Sequence, residues 1–403
     1  MDRYARHRAI EGFSQEALQA SRVAVIGAGA IGNEVVKNLC LLGVGAIDVY
    51  DFDTVELHNL TRSVLLREAD VGLGKAGSVA RRAAELDPGV AVTGIDGDLW
   101  QTLSFDRLKR CRCVIGALDN FEARLRLNLL CWLAGVDWIN AAIDSRYVSV
   151  ETFPFGTRAE APLPSANGGA GAEGGAGANG AAVACYECGL PASVYQRIAE
   201  RYSCGGLQRA AAAQRIMPTT AITASLAGAQ AVNCALRPPA DARRWLFDSH
   251  SGLVTQAALT RLEGCPCCGA YPRAATLVKP AARPVAAVID AAARDAAADT
   301  VRLSDALIWS CDCANCGSTE ATRAVQLRRA ADVPDAITFC LQCGSQAVRV
   351  QIRDEFEPGE LSERFPPEAA VPVRFAVVGD HCIDLQSPPA TDSKPTTTTE
   401  HAT

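Results

Sequence analysis

The sequence predicts an α/β fold: a Rossmann-like, doubly wound, mainly parallel sheet followed by a small C-terminal β-rich domain carrying a zinc ribbon. Three observations predict it. Residues 21–50 read strand, glycine turn, helix, strand, which is one βαβ unit. Helix-like and strand-like runs go on alternating to about residue 143. Eight of the seventeen cysteines fall in four C-x-x-C pairs, the spacing of zinc knuckles.

Each element follows from its residues. RVAVIG is a short β-branched run, NEVVKNLCLLG has helical period and a glycine stop, and AIDVY is apolar again. A helix follows over about 75–86, a strand at CVIGAL, a helix over about 121–134 and a strand at DWINAAI. Residues 157–182, TRAEAPLPSANGGAGAEGGAGANGAA, are too rich in Gly, Ala and Pro to bury a core and are expected to form a flexible loop. TTAITASLAGAQAVNCALR, 219–237, reads as a buried helix of small residues that stops before Pro238 and Pro239. The expected organisation is an α/β domain over 1–275, a zinc-ribbon domain over 284–390 flanked by the strand-like runs VRLSDALI and VPVRFAVVG, and a disordered tail over 391–403.

A net charge of -6 and a pI near 5.5 give no electrostatic case for nucleic acid or an acidic membrane surface. The N-terminus lacks the apolar core of a signal peptide, and no apolar run reaches the roughly 18 residues of a membrane span. A soluble, cytoplasmic chain is expected, and a reducing compartment agrees with zinc rather than disulfides.

The chemistry begins at GAGAIG. Gly27, Gly29 and Gly32 sit between strand and helix, where they allow a tight turn and close approach of backbone N–H groups to phosphate. Asp51, at the end of the next strand, is placed to accept hydrogen bonds from ribose hydroxyls, which NAD and ATP both present. The stretch that follows, DFDTVELHNLTRS, separates the two. Asn59, Arg62 and then Lys75 supply more polar and cationic groups than a dinucleotide pyrophosphate requires. If a carboxylate attacks the α-phosphate of ATP, a roughly tetra-anionic triphosphate meets another anion, so fixed cations and a metal must stabilise the transition state. Asp119, at the C-terminal end of CVIGAL, suits a magnesium ligand.

Taken together, GAGAIG, D-F-D-T-V-x-x-x-N-L-x-R, the G-K of GLGKAG, D-N-x-x-x-R at Asp119, Asn120 and Arg124, and two widely separated C-x-x-C pairs resemble the ThiF/MoeB and ubiquitin-activating enzyme family over about residues 1–270. The resemblance implies that Asp51, with Asp53 beside it, holds the ATP ribose, that Asn59, Arg62 and Lys75 hold the phosphates, and that Asp119 holds Mg2+. It also implies a homodimer, in which Arg6 of RYARH enters the neighbouring protomer's ATP site. His58 and Ser63 depart from the Ser and Gln that the family often has there.

Cys185, Cys188, Cys265 and Cys268 are expected to form a tetrathiolate Zn2+ site, with Cys267 outside it. Cys313, Cys316, Cys340 and Cys343 are expected to form a second, with Cys311 competing with Cys313 for register. The C-terminal domain is either a stabilising appendage or a docking surface for a partner. Cys40, Cys131 and Cys234 read as small core residues. Cys204, in RYSCGG, lies in the segment where the family carries its reactive cysteine. A thiolate there would attack an acyl-adenylate and hold the acyl group as a thioester, with Arg201 and Arg209 near in sequence to lower its pKa. The alternative is a structural Cys204, since some family members stop at the adenylate.

The expected function is ATP-dependent adenylation of the C-terminal carboxylate of a ubiquitin-like β-grasp protein, followed by thioester formation on Cys204 and transfer to a conjugating enzyme. A sulfur-carrier adenylyltransferase of thiamine or molybdopterin synthesis is the rival within the class. An NAD-dependent oxidoreductase and a scaffold without activity are the rivals outside it.

Overall fold

The computed structural model describes residues 2–156, 183–201, 217–280, 285–318, 326–333, 340–366 and 371–385, without the side chains of 197–201. The expected loop over 157–182, Cys204 and the expected tail over 391–403 lie outside the described residues. The chain divides into two units, Met1–Ala274 and Ala275–Thr403.

In the first unit the strands are β1 (Arg22–Ile26), β2 (Ala46–Asp51), β3 (Ala91–Asp96), β4 (Cys113–Gly116), β5 (Asp137–Ile143), β6 (Tyr147–Phe153), β7 (Arg243–Asp248) and β8 (Val254–Ala258). They form one sheet in the order β3-β2-β1-β4-β5-β6-β7-β8. The five strands from β3 to β5 are parallel, and β6, β7 and β8 extend them in antiparallel fashion. The antiparallel extension goes beyond the α/β alternation legible in the sequence. Its first strand, YVSVETF, follows DWINAAI after a three-residue turn and so merges with it in any helix-strand count.

Period-2 alternation decides which residues face which layer. Val23, Val25, Ile47, Val49, Ile115, Ile139 and Ala141 share one core with the helices Ala30–Leu42, Lys75–Leu86 and Thr220–Leu236. Trp138, one residue out of step with Ile139, instead stacks on Phe153 and meets Tyr186 edge-on. The helix Phe121–Ala134 packs against β4, β5 and the turn that holds Tyr186. The helix Thr220–Leu236 crosses Ala30–Leu42 so closely that a Cβ at Gly228 would lie 2.6 Å from Glu34 Cβ. That contact explains why its buried side is mostly Ala and Gly.

The second unit is a five-stranded sheet, β11-β10-β12-β13-β9, made of β9 (Thr276–Val278), β10 (Val301–Cys313), β11 (Val348–Phe356), β12 (Phe375–Val378) and β13 (His381–Asp384). The helix Val285–Asp295 covers it through Ile289 and Ala293. β9 pairs with β13 in parallel and is not legible in the sequence, because three residues are too few to show a period. Among the described residues, no helix is long and apolar enough to cross a membrane.

The β1 turn fixes the geometry on which the rest is built. Gly27 has φ +100°, and a Cβ on Gly32 would lie 1.9 Å from the Gly27 carbonyl oxygen, whereas nothing lies within 4 Å of the corresponding point at Gly29. Gly32→Ala is therefore expected to lower stability by about 2 kcal/mol or more through a backbone clash. Gly29→Ala is expected to stay within about 0.5 kcal/mol. Denaturant unfolding of the full chain checks both, and equal losses would contradict this account of the turn.

Candidate functional site

Between β1 and β4 the chain leaves the sheet in opposite directions, and a cleft of about 590 Å³ opens there at the carboxyl ends of the strands. Its lining brings together Gly27, Gly29, Asp51, Asp53, Asn59, Arg62, Lys75, Asp119, Asn120 and Arg124. Gly32 lies beneath the turn rather than in the lining. Arg6 is exposed on the short helix Ala5–Arg8 and does not line the cleft of its own chain.

Two side chains hold the glycine turn in shape. Asp51 accepts from Ala28 N at 2.7 Å through one carboxylate oxygen and from Asp53 N at 2.8 Å through the other. Burial pushes the Asp51 carboxyl above the usual carboxylate range, against those two donors and the nearby Lys75. Asn33, fully buried, donates to Ala28 O at 2.7 Å and Gly29 O at 2.9 Å, and accepts from Leu65 N at 2.9 Å. One carboxamide thus fixes the turn to the loop that carries Asn59 and Arg62.

That loop contains a one-turn helix, Leu57–Thr61, in which Asn59 Oδ1 accepts from Glu56 N at 2.9 Å. The Arg62 guanidinium donates to His58 O at 2.7 Å, and burial lowers its pKa from the free value. Lys75 opens the helix Lys75–Leu86; its Nζ sits 2.8 Å from Asp53 Oδ2 with only 13% of the side chain exposed. Asp119 is exposed just past β4, and Asn120 caps the helix Phe121–Ala134 by accepting from Ala123 N at 2.9 Å. Arg124 donates to Leu118 O, while its buried Nε has no hydrogen-bond partner among the described residues.

The cleft is also lined by residues that sequence reasoning misses: Gly97, Asp98 and Leu99 after β3, Asp144 and Ser145 after β5, and Met217 and Thr220 at the start of Thr220–Leu236. Those after β3 and β5 were findable, because they follow the carboxyl ends of parallel strands. Asn33 carried a weaker sign, a polar residue on an otherwise apolar helix directly after GAGAIG.

The cysteines form two quartets, each with its four sulfurs within 4.8 Å of one another. In the first, Cys185 and Cys265 are 3.5 Å apart, Cys188 and Cys268 3.4 Å, and Cys185 and Cys188 3.9 Å. In the second, Cys313 and Cys343, and Cys316 and Cys340, are both 3.6 Å apart. A tetrahedral ion with Zn–S bonds of about 2.3 Å spaces its sulfurs ~3.8 Å apart, so both quartets fit zinc. A disulfide requires about 2.05 Å, and the described cysteines are free. Cys267 and Cys311 are buried outside the quartets.

The chain matches the ThiF family over residues 2–267. It is 35% identical over 146 residues to the SAMP-activating enzyme E1 of Haloferax volcanii, covering 36% of this chain and 54% of that one. It is 32% identical over 158 residues to the molybdopterin-synthase adenylyltransferase of Salmonella typhimurium (38% and 64%) and 33% identical over 135 residues to the sulfur carrier protein ThiS adenylyltransferase of Bacillus subtilis (33% and 40%). In each case the chain spans less than two thirds of the relative's length. Among solved structures, E. coli MccB with MccA-N7isoASN superposes with a TM-score of 0.47 at 21% identity, covering 67% of this chain and 75% of that one.

Elemental analysis of the purified full chain is expected to give close to two zinc ions per chain. Cys188→Ser and Cys316→Ser should each remove about one, and Cys267→Ser and Cys311→Ser should remove none. Loss of zinc in either of the last two variants would reassign the ligands.

Proposed function

The chain belongs to the ThiF family, and on that premise we propose that it uses ATP to adenylate the C-terminal carboxylate of a small ubiquitin-like β-grasp protein. The observation that carries this is the convergence of Asn59, Arg62, Lys75 and Asp119 with the glycine turn and Asp51 in one cleft. A dinucleotide pyrophosphate requires fewer polar and cationic groups than these, which disfavours the oxidoreductase alternative. The intact set equally disfavours a scaffold without activity.

In the proposed reaction Asp51 accepts hydrogen bonds from the ribose, and the open space above Gly29 admits the phosphates to the backbone N–H groups of the turn. Arg62 and Lys75 meet the triphosphate. Lys75 is held by Asp53 at 2.8 Å, and the incoming phosphates compete with that carboxylate for it. Asp119 would hold Mg2+, which supplies charge neutralisation at the phosphates. A carboxylate oxygen of the carrier attacks the α-phosphorus, the α–β P–O bond breaks, and pyrophosphate leaves with the charge that Arg62, Lys75 and Asn59 stabilise. The Cys204 thiolate then attacks the acyl carbon of the adenylate, AMP departs and a thioester remains. Met217 and Thr220, downstream of Cys204 in the chain, line the same cleft.

Arg6, exposed and absent from its own cleft, would complete the cleft of a partner protomer in a homodimer. The second unit, with its own quartet, would dock a conjugating enzyme. Free cysteines throughout the described residues suit the cytoplasm. The relatives named for molybdopterin synthase and ThiS favour a second reading, a sulfur-carrier adenylyltransferase that stops at the acyl-adenylate.

Pyrophosphate exchange into ATP, measured with candidate carriers, tests the first step. Lys75→Ala is expected to lower it on the order of 10²–10³-fold, and absence of exchange with every carrier tried would count against adenylation. Intact mass with ATP and carrier should show a reducible adduct that Cys204→Ala loses while keeping exchange. An adduct that survives in Cys204→Ala removes Cys204 from the chemistry, and exchange without any adduct favours the sulfur-carrier alternative. Arg6→Ala and Lys75→Ala, each nearly inactive alone, should regain exchange when mixed, because a heterodimer has one complete site. Failure to complement would place Arg6 outside the partner's cleft.

A further inference from the structure

A buried side chain ties the turn of the first quartet to the helix that carries Arg124. Asn128 is fully buried in the helix Phe121–Ala134, one turn beyond Arg124. Its carboxamide is committed to the C-Y-E-C turn: Oδ1 accepts from Tyr186 N at 3.1 Å and Nδ2 donates to Glu187 Oε1 at 3.3 Å. The other oxygen of Glu187 accepts from the Tyr195 hydroxyl at 2.7 Å. Tyr195 lies in Ala192–Arg201, the helix that leads toward Cys204 and packs on Phe121–Ala134. Glu187 is only 8% exposed, so a carboxylate between two zinc ligands is kept in the interior with these two donors.

We propose that Asn128 and Glu187 are positioning residues, through which metal at the Cys185, Cys188, Cys265, Cys268 quartet sets both the Arg124 end of the cleft and the helix Ala192–Arg201. Zinc binding and nucleotide binding are then linked, each strengthening the other by the same factor. The linkage to nucleotide rests on the ATP site proposed above; the linkage of quartet to helices does not. Coupling between two linked binding sites is commonly about 5–150-fold in affinity.

The test uses the full chain loaded with zinc. Binding of mant-ATP with magnesium is followed by fluorescence, zinc release by a colorimetric chelator, and the helices 121–134 and 192–201 by hydrogen exchange. Glu187→Ala is expected to weaken mant-ATP about tenfold, with zinc retained. Glu187→Gln, which keeps a polar group in both directions, should restore binding to within about twofold. The losses in Glu187→Ala and Arg124→Ala should be less than additive in the double variant, because one acts through the other. Bound mant-ATP should slow release of zinc from the first quartet only. If Glu187→Ala sheds zinc, Tyr195→Phe removes a single donor and is read in the same way.

Unchanged affinity in Glu187→Ala, or full additivity with Arg124→Ala, would overturn the proposal. If the wild-type chain binds no mant-ATP, the ATP site itself is wrong and hydrogen exchange decides the coupling. Faster exchange in both helices of zinc-bound Glu187→Ala supports it, and exchange equal to wild type sinks it.

Discussion

The buried carboxamide of Asn33 is the interaction on which the cleft depends. It ties two carbonyls of the glycine turn, Ala28 O and Gly29 O, to the backbone N–H of Leu65 in a loop more than thirty residues away. Asp51 takes the Ala28 N–H from the other side. Left unpaired in the interior, each of these groups would cost about 1–3 kcal/mol, so the turn and the loop find their low-energy arrangement together. Asn59 and Arg62 reach the cleft because that arrangement puts them there.

The charges inside the cleft are held under tension. Asp51 is buried enough that its carboxyl is pushed up, and Arg62 is buried enough that its guanidinium is pulled down. Lys75 is neutralised by Asp53 across a short ion pair. Shifted ionisable groups gathered in one cleft mark a candidate site. The cysteine quartets solve a different problem. Cys185 and Cys265 are eighty residues apart in the chain, and a bound metal would join them at one point next to the aromatic group of Trp138, Phe153 and Tyr186.

Much of the first unit is legible in the order of its residues. Strand, glycine turn and helix over 22–42 are local features, set by β-branched runs, helical period and Gly43 at the helix end. The helices Lys75–Leu86 and Phe121–Ala134 and the strand Asp137–Ile143 fall where period and composition put them. The extension through β6, β7 and β8 was not legible. β7 pairs with β6 across some ninety residues of intervening chain, and β8 is exposed along its whole length, so it lacks the hydrophobic alternation by which a half-buried strand is recognised.

What the sequence determined by itself was the list of participants: a glycine turn, an acid at the end of β2, an Asn, Arg and Lys in order after it, and four cysteine pairs with metal spacing. Those are matters of residue type and of separation along the chain, which local sterics and ligand chemistry constrain directly. Only the tertiary structure decided which participants meet. It separated Cys267 from Cys268, because neighbours in a chain point different ways, and Cys311 from Cys313, which share a face of β10 but lie two residues apart along it, so just one of each reaches the common centre. It also turned Asn128 and Glu187, unremarked in a helix and a cysteine turn, into a buried contact between the helix Phe121–Ala134 and the turn that carries Cys185 and Cys188. That contact exists because a carboxamide and a carboxylate, once packed inside, must find each other.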